Sequence, residues 1–207
     1  MISALLDEVA LKERARALGA LLRASAEGLV GDPFAAVLLL DGPMGAGKTT
    51  FTRALAAGLG VAHAERVCSP TFTLCMVHAG AGPGPVTLIH VDLFRLADAE
   101  DEGMGGAAGF DALDLEEIAG EATIGSAGAE PRVLVVEWAA KWSAPPSDHL
   151  AIRLAFPGVP GGLDDSRRIV AVEARGARSA GILASWSSQR ADASPLINDA
   201  GASPGDR

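Results

Sequence analysis

The sequence has few cysteines, no long apolar run and a minority of cations, which argues against a disulfide framework, a membrane span and a nucleic-acid face. Cysteine occurs twice, as Cys68 and Cys75, with neither C-x-x-C spacing nor a histidine cluster nearby, so no disulfide scaffold or zinc site is expected. No secretory leader is read at the start of the chain, and a reduced, cytoplasmic setting is the expectation. No apolar stretch approaches the roughly 20 residues of a membrane-spanning helix; the longest lies around Phe34 to Leu40. Cations are in the minority, with 17 Lys and Arg against 26 Asp and Glu and a formal net charge of -9. Binding to a DNA or RNA backbone depends on Lys and Arg neutralising phosphates, so no broad basic face is expected, and any RNA would be held by another chain. Tyrosine is absent, and asparagine occurs once, as Asn198.

What is present is a chain of 207 residues, 49% of them hydrophobic, enough for one good core and too short for a second full domain. The expectation is one domain over residues 1–186, followed by a disordered tail over 187–207 that is rich in Ser, Ala, Asp and Gly. The most informative segment is Gly42-Pro43-Met44-Gly45-Ala46-Gly47-Lys48-Thr49, a complete G-x-x-x-x-G-K-T phosphate loop that directly follows the apolar run Val37 to Leu40. Glycines allow successive backbone N–H groups to converge on phosphate oxygens, Lys48 adds a point charge, and the Thr49 hydroxyl can hold Mg²⁺. A helix must begin at about Lys48, so that its free amides and dipole complete the anion site. The expected phosphate-binding set is therefore Gly42, Met44, Gly45, Ala46, Gly47, Lys48, Thr49 and Thr50. The helix is expected to run through Ala57 and close at Gly58 or Gly60.

Elsewhere, Leu5, Leu6, Val9, Leu18, Leu21 and Leu22 suggest one or two amphipathic helices near the start. A strand is expected near Arg66 to Cys68, an extended segment over Thr71 to Val77, and a strand over Val86 to Val91 ending at Asp92, with Ala79 to Pro85 as a turn. Ala97 to Gly109 reads as a Gly-broken loop and Ala112 to Ala119 as a short helix. Val133 to Val136 is a continuous apolar run of the kind a parallel strand buried on both faces requires. His149 to Phe156 and Arg168 to Ala174 alternate as antiparallel strands do, joined by Pro157 to Asp165, and Ser179 to Trp186 reads as a last helix. The pattern predicts an α/β protein of the P-loop NTPase-like, three-layer type: a mainly parallel central sheet with antiparallel strands added toward the C-terminus.

A Mg²⁺·nucleotide site needs acids where strands end beside the phosphate loop. Leu88-Ile89-His90-Val91-Asp92 and Val133-Leu134-Val135-Val136-Glu137 each deliver one acid at the carboxyl end of an apolar strand, the edge where doubly wound folds bind ligands. Spacing alone leaves open which acid takes the metal and which orients or deprotonates the attacking water.

Several short motifs then coincide: Gly42 to Phe51 (GPMGAGKTTF), Ser69 to Leu74 (SPTFTL), His90 to Leu96 (HVDLFRL), Leu115-Glu116-Glu117 and Val136-Glu137-Trp138. Together they resemble the TsaE (YjeE) family of bacterial P-loop ATPases over roughly residues 13 to 176. The resemblance implies an ATPase subunit that serves the synthesis of threonylcarbamoyladenosine at position 37 of ANN-decoding tRNAs. Its implied partners are TsaD-like and TsaB-like proteins, with tRNA engaged indirectly, and ATP hydrolysis resets the complex between rounds. It further implies ATP and Mg²⁺ as ligands, Thr49 and Glu137 on the metal, Lys48 on the phosphates, Asp92 in hydrolysis, and Ser69 to Thr73 as a switch-like segment. The chain departs from the family pattern at Phe94, where a tyrosine is usual, at Ala139 and Ala140 after the Glu-Trp pair, and at Ala15, where the resemblance implies a threonine that helps hold the base.

Two other functions share the same loop: a small-molecule kinase with Asp92 as base, and a non-catalytic scaffold that ATP merely orders. The only long loop, Ala97 to Gly109, has no arginine to form a kinase lid. Asn198 cannot supply a guanine-selecting N-K-x-D motif, and LSGGQ is missing. Among single residues, His90 reads as a core histidine rather than a catalytic one, Arg95 as an ion-pair partner of Asp92 or a nearby Glu rather than a γ-phosphate sensor, and Arg168 as a solvated edge residue rather than one that reaches the nucleotide. Trp138 reads equally as core filling or as a nucleotide neighbour. Glu116 and Glu117 read as a solvated face, Thr71 and Thr73 as phosphate sensors or plain strand residues, and the two cysteines as small strand residues.

Overall fold

The computed structural model describes residues 1–26, 34–70, 73–82, 84–95, 131–142, 144–159, 162–163, 165–189 and 197–198. The expected loop Ala97 to Gly109, the helix Ala112 to Ala119 with Glu116 and Glu117, and the residues Thr71, Phe72 and Leu96 lie outside them.

Ten strands and three α-helices are described: β1 (Ile2–Asp7), α1 (Glu8–Ala26), β2 (Ala36–Asp41), α2 (Lys48–Leu59), β3 (Cys75–His78), β4 (Thr87–Asp92), β5 (Arg132–Glu137), β6 (His149–Ala155), β7 (Gly158–Val159), β8 (Gly162–Leu163), β9 (Arg167–Arg175), α3 (Ala177–Ser188) and β10 (Ile197–Asn198). β7 and β8 pair with each other, and the rest form one sheet in the order β10-β1-β9-β6-β2-β5-β4-β3. Its centre is parallel: β2 lies between β5 and β6, and β4 lies beyond β5. β9 runs antiparallel to β6, as the alternation in both segments predicted.

Antiparallel strands also border the sheet elsewhere: β3 pairs with β4, and β1 with β9. The β1 pairing corrects the reading of the N-terminus. Leu5 and Leu6 lie in a strand whose burial alternates, with Ala4 and Leu6 inside and Leu5 and Asp7 outside. Helix α1 begins only at Glu8, once Asp7 accepts the Ala10 amide through its carboxylate, as an N-terminal cap does. The strand expected near Arg66 to Cys68 is also absent. Ala64–Arg66 form a 3-10 turn entered through His63 in the left-handed region, and the chain then leads without pairing toward Ser69. Cys68 is accordingly exposed on no strand, whereas Cys75 is half-buried on β3, where burial pushes its thiol pKa up.

β2 is buried on both sides because it lies at the centre of the sheet. Leu38 and Leu40 join the core under α1, α2 and α3, while Val37 and Leu39 join Ile89, Val91, Leu134 and Val136 on the opposite face. Among the described residues all three α-helices cover the first face, and a 3-10 turn at Ala139–Lys141 with Trp138 and Trp142 covers part of the second. α1 and α2 meet backbone to backbone. A Cβ on Gly19 would lie 2.2 Å from the Leu55 carbonyl oxygen, and one on Gly58 would lie 2.1 Å from that of Arg16. Gly58 is thus a contact residue rather than the helix stop, and α2 closes instead at Gly60, whose φ of 79° lets its N–H reach the Ala56 and Ala57 carbonyls.

Helix α3 runs two residues past Trp186 and is fixed at both ends from a distance. Asp148 accepts the amides of Arg178 and Ser179 at 3.0 and 2.9 Å. At the other end, buried Arg14 donates to the Trp186 and Gln189 carbonyls at 3.2 and 2.9 Å, and the Trp186 indole donates back to the Arg14 carbonyl at 3.0 Å. Both arrangements satisfy terminal groups that a helix cannot satisfy internally.

Candidate functional site

Most of what the sequence marked for phosphate chemistry converges where β2, β4 and β5 end. Gly42, Gly45 and Gly47 hold φ values of 143°, 76° and 101°, a conformation that side chains disfavour and that turns the loop back over the start of α2. At Gly42 nothing larger fits, because a Cβ would lie 2.2 Å from the Leu154 carbonyl oxygen on β6. Lys48 opens α2, is nearly buried, and donates through Nζ to the carbonyls of Gly42 at 2.7 Å and Pro43 at 3.0 Å. Burial lowers its pKa, while the Glu137, Asp41 and Asp92 carboxylates oppose that shift.

The two acids are 2% exposed each and are register partners on β4 and β5. Glu137 turns toward α2. Its Oε2 accepts the Thr49 hydroxyl at 2.9 Å, and its Oε1 accepts the Thr52 hydroxyl at 3.2 Å and meets His90 Nε2 at 2.8 Å. With the carboxylate ionised, that last bond places the imidazole proton on Nε2, leaving the buried Nδ1 without a hydrogen-bond partner. Asp92 is bonded to other segments: its Oδ2 accepts the Ser69 hydroxyl and its Oδ1 the Phe94 amide at 2.9 Å.

Two residues beside these acids hold positive φ without being glycine, Leu74 and Trp138, both at 60°. Such conformations cost on the order of 1–2 kcal/mol. Leu74 accepts the Asp92 amide through its carbonyl at 3.0 Å. The bend at Trp138 carries its ring to within 3.8 Å of Lys48 Nζ and 5.1 Å of the Phe94 ring.

The result is a cleft of about 410 Å³. Of the predicted phosphate-binding residues, Met44, Gly45, Gly47, Lys48, Thr49 and Thr50 line it, opposite Ser69, Asp92, Phe94, Glu137 and Trp138. Gly42 and Ala46 do not: Gly42 lies beneath the loop against β6, and Ala46 is fully buried with its amide on the Pro43 carbonyl. Ala15, at the position expected to bear on the base, is also fully buried in the core. Arg95 is exposed. Thr73 donates its amide to Pro70, closing a turn within the Ser69 to Leu74 segment.

The sequence favoured none of three further participants as parts of this site. Thr52 stands one helical turn after Lys48 on the same face of α2, a spacing that was legible. His90, which was read as core, is fully buried and also touches Glu137. Arg168, read as a solvated edge residue, donates instead to the loop carbonyls of Ala46 at 3.1 Å and Gly45 at 3.2 Å. Nothing in its local sequence distinguishes it from Arg167.

The donor set suits a magnesium·triphosphate group. The loop at Gly42 admits only glycine, an ionisable cation and a helix start lie inside it, and a hydroxyl and a carboxylate already meet beside them. Among the described residues no group of three or more His, Cys, Asp or Glu forms a metal cage. One hydroxyl and one or two acids match an ion such as Mg²⁺, which keeps most of its own water.

A phosphate loop between the central parallel strand and its helix, with acids at the ends of the neighbouring strands, defines a P-loop fold. A family model described as "Threonylcarbamoyl adenosine biosynthesis protein TsaE" matches residues 6–158, and the chain belongs to the TsaE family. It is 38% identical over 149 residues to the tRNA threonylcarbamoyladenosine biosynthesis protein TsaE of Mycobacterium leprae, covering 72% of this chain and 76% of that one. Over 128 residues it is 40% identical to the protein of the same name from Streptomyces coelicolor, covering 62% of this chain and 66% of the relative, just under two thirds of its length. The crystal structure of Bacillus subtilis YdiB matches with a TM-score of 0.55 at 26% identity, covering 90% of this chain and 96% of the other. Among the described residues no helix is long and apolar enough to cross a membrane.

Proposed function

We propose that this protein is a Mg²⁺-dependent ATP hydrolase that serves threonylcarbamoyladenosine modification of tRNA in the cytoplasm, acting as a nucleotide switch on TsaD-like and TsaB-like partners. The observation that carries this reading is the hydrogen bond from Thr49 to Glu137, with Asp92 next in register. It joins a phosphate loop to a metal-type acid and sets a second acid apart from it. The named relatives supply the pathway, and the acidic balance of -9 fits a subunit that leaves tRNA to its partners.

In this reading, loop amides and Lys48 bind and neutralise the phosphates, and Lys48 gives up its bonds to the Gly42 and Pro43 carbonyls to do so. Thr49 and Glu137 hold Mg²⁺, which supplies charge neutralisation on the phosphate oxygens. Asp92, with Ser69 on one oxygen and the Phe94 amide on the other, orients or deprotonates the attacking water. Trp138 and Phe94 form an apolar wall that limits bulk water beside Lys48. Among the described residues no arginine side chain lines this cleft, and transition-state charge in phosphoryl transfer is often stabilised by one supplied from a partner. Slow turnover alone and faster turnover in complex follow from that.

The test is phosphate release from ATP by the purified chain, alone and with TsaD-like and TsaB-like proteins. Stimulated release supports the reading. Labelled phosphate on a small molecule instead would indicate a kinase, and ATP-dependent assembly that persists without hydrolysis in Asp92→Asn would indicate a scaffold. Absence of ATP binding would overturn all three.

A further inference from the structure

Arg168 lies on β9, past the residues 6–158 matched by the family model, yet it reaches across the sheet edge to the back of the phosphate loop. Its guanidinium carries five N–H donors in a rigid planar fork. Nε donates to the Ala46 carbonyl at 3.1 Å, Nη2 to the Gly45 carbonyl at 3.2 Å, and Nη1 to the Asp165 and Arg167 carbonyls at 2.7 and 2.8 Å. One face of the fork stacks on the Phe156 ring at 4.2 Å from its centre. Carbonyls of two separate segments and an aromatic face thus fix the charge in one place.

The two loop carbonyls belong to the peptide groups that carry the Ala46 and Gly47 amides. A cation on the oxygen side of a peptide withdraws electron density from its N–H and strengthens the bond that this N–H makes on the other side. Gly47 lines the cleft, whereas the Ala46 amide is held by the Pro43 carbonyl, so the Gly47 amide is the route by which the charge of Arg168 would reach a bound phosphate without entering the site. We infer that Arg168, held by Phe156, is a positioning residue that fixes and polarises the Gly45-Ala46-Gly47 backbone for binding a polyphosphate. This rests on the reading of the loop as a nucleotide site, and it adds a residue that touches neither phosphate nor metal.

The test compares the full-length chain with Arg168→Ala, Arg168→Lys and Phe156→Leu, measuring affinity for ATP and for inorganic tripolyphosphate. Loss of charge-assisted hydrogen bonds predicts weakening of about tenfold for Arg168→Ala, equal for the two anions because the effect runs through the loop and not the base. Arg168→Lys keeps charge but not the fork, and Phe156→Leu keeps the fork but not its support; each is expected to lose part of the affinity. These two decide the matter should Arg168→Ala fail to fold. In ligand-free protein, the Gly47 amide proton resonance is expected to move upfield in Arg168→Ala, the sign that loss of polarisation dictates, and to stay nearer its wild-type position in Arg168→Lys, which keeps the charge. Weakening confined to ATP, or an unmoved Gly47 resonance, overturns the inference. Tight wild-type binding that no variant changes overturns this inference alone, whereas a wild-type chain that binds neither anion overturns the nucleotide reading and this inference with it.

Discussion

Asp92 and Glu137 sit side by side at the ends of β4 and β5, yet they bond to different segments. Glu137 is tied to α2 through Thr49 and Thr52, and Asp92 to the Ser69 segment and the Phe94 amide. The division accords with the proposed roles, Glu137 on the metal and Asp92 in hydrolysis, and under that reading each acid has a distinct mutational signature.

Glu137→Gln removes the charge while keeping the shape. The expected outcome is a large rise in the Mg²⁺ concentration needed for ATP binding, with metal-free ATP affinity little changed, read by titrating Mg²⁺ against a fluorescent ATP analogue. Asp92→Asn should leave that curve in place and lower hydrolysis by roughly 10²–10⁴-fold. An unchanged metal requirement in Glu137→Gln would move the ligand role to Asp92.

His90→Ala removes a buried partner from Glu137 Oε1 and leaves only Thr52 there. Outer groups that orient a metal ligand typically contribute 10–100-fold in metal affinity. The expectation is a shift of about tenfold or more in the Mg²⁺ half-saturation point, with partial recovery in His90→Asn, whose amide can still donate. A variant that melts earlier but keeps the wild-type Mg²⁺ curve would limit His90 to packing.

Gly58→Ala should be more damaging than Gly60→Ala. The added methyl at Gly58 meets a backbone oxygen at 2.1 Å, whereas at Gly60 it meets the movable end of Arg23. Overpacking costs roughly 1–3 kcal/mol, a drop of several degrees in melting temperature for a domain of this size. The cost at Gly60 is the left-handed backbone, about 1–2 kcal/mol. Thermal melts of the two variants rank them directly, and a Gly58→Ala variant that melts with the wild type would show that α1 and α2 can separate without loss.

Asp148 is the clearest source of acid sensitivity. Burial alone would raise its pKa, but the Ser179 hydroxyl and amide, the Arg178 amide and the Arg178 charge outweigh burial and lower it below the ordinary carboxylate value. A carboxyl whose folded pKa is depressed stabilises the fold fully above its unfolded value and loses that contribution as the pH falls through the folded one. Asp148→Ala should therefore cost about 1 kcal/mol near neutrality, as loss of a helix cap does. The wild-type and variant stabilities should converge in acid below the folded pKa; urea melts at several pH values measure this. A difference that does not change with pH would assign the effect to packing.

The central elements were legible because each depends on local or short-range rules. An apolar run, a glycine loop and a Lys-Thr pair suffice to place β2, the phosphate loop and α2, and each acid follows a run that only a doubly buried strand needs. The N-terminal error had a definite cause. Leu5 and Leu6 fit a helical stripe by spacing, but Ile2–Asp7 gain more by pairing along β9 than a helical start could offer. The expected strand near Arg66 to Cys68 failed for a related reason, since a strand needs a neighbour and the sheet passes none there.

Sequence alone therefore determined the chemistry available: a phosphate cradle, its cation, its hydroxyl and two strand-end acids, all encoded in contiguous stretches. Tertiary structure decided which groups act on one another. The chain places Thr52 and His90 on one oxygen of Glu137, Ser69 on Asp92, Trp138 over Lys48, and Arg168 behind the loop more than a hundred residues away. Contacts of that kind arise where strands and helices brought together by burial leave polar groups needing partners, and no pattern within a single segment of sequence records them.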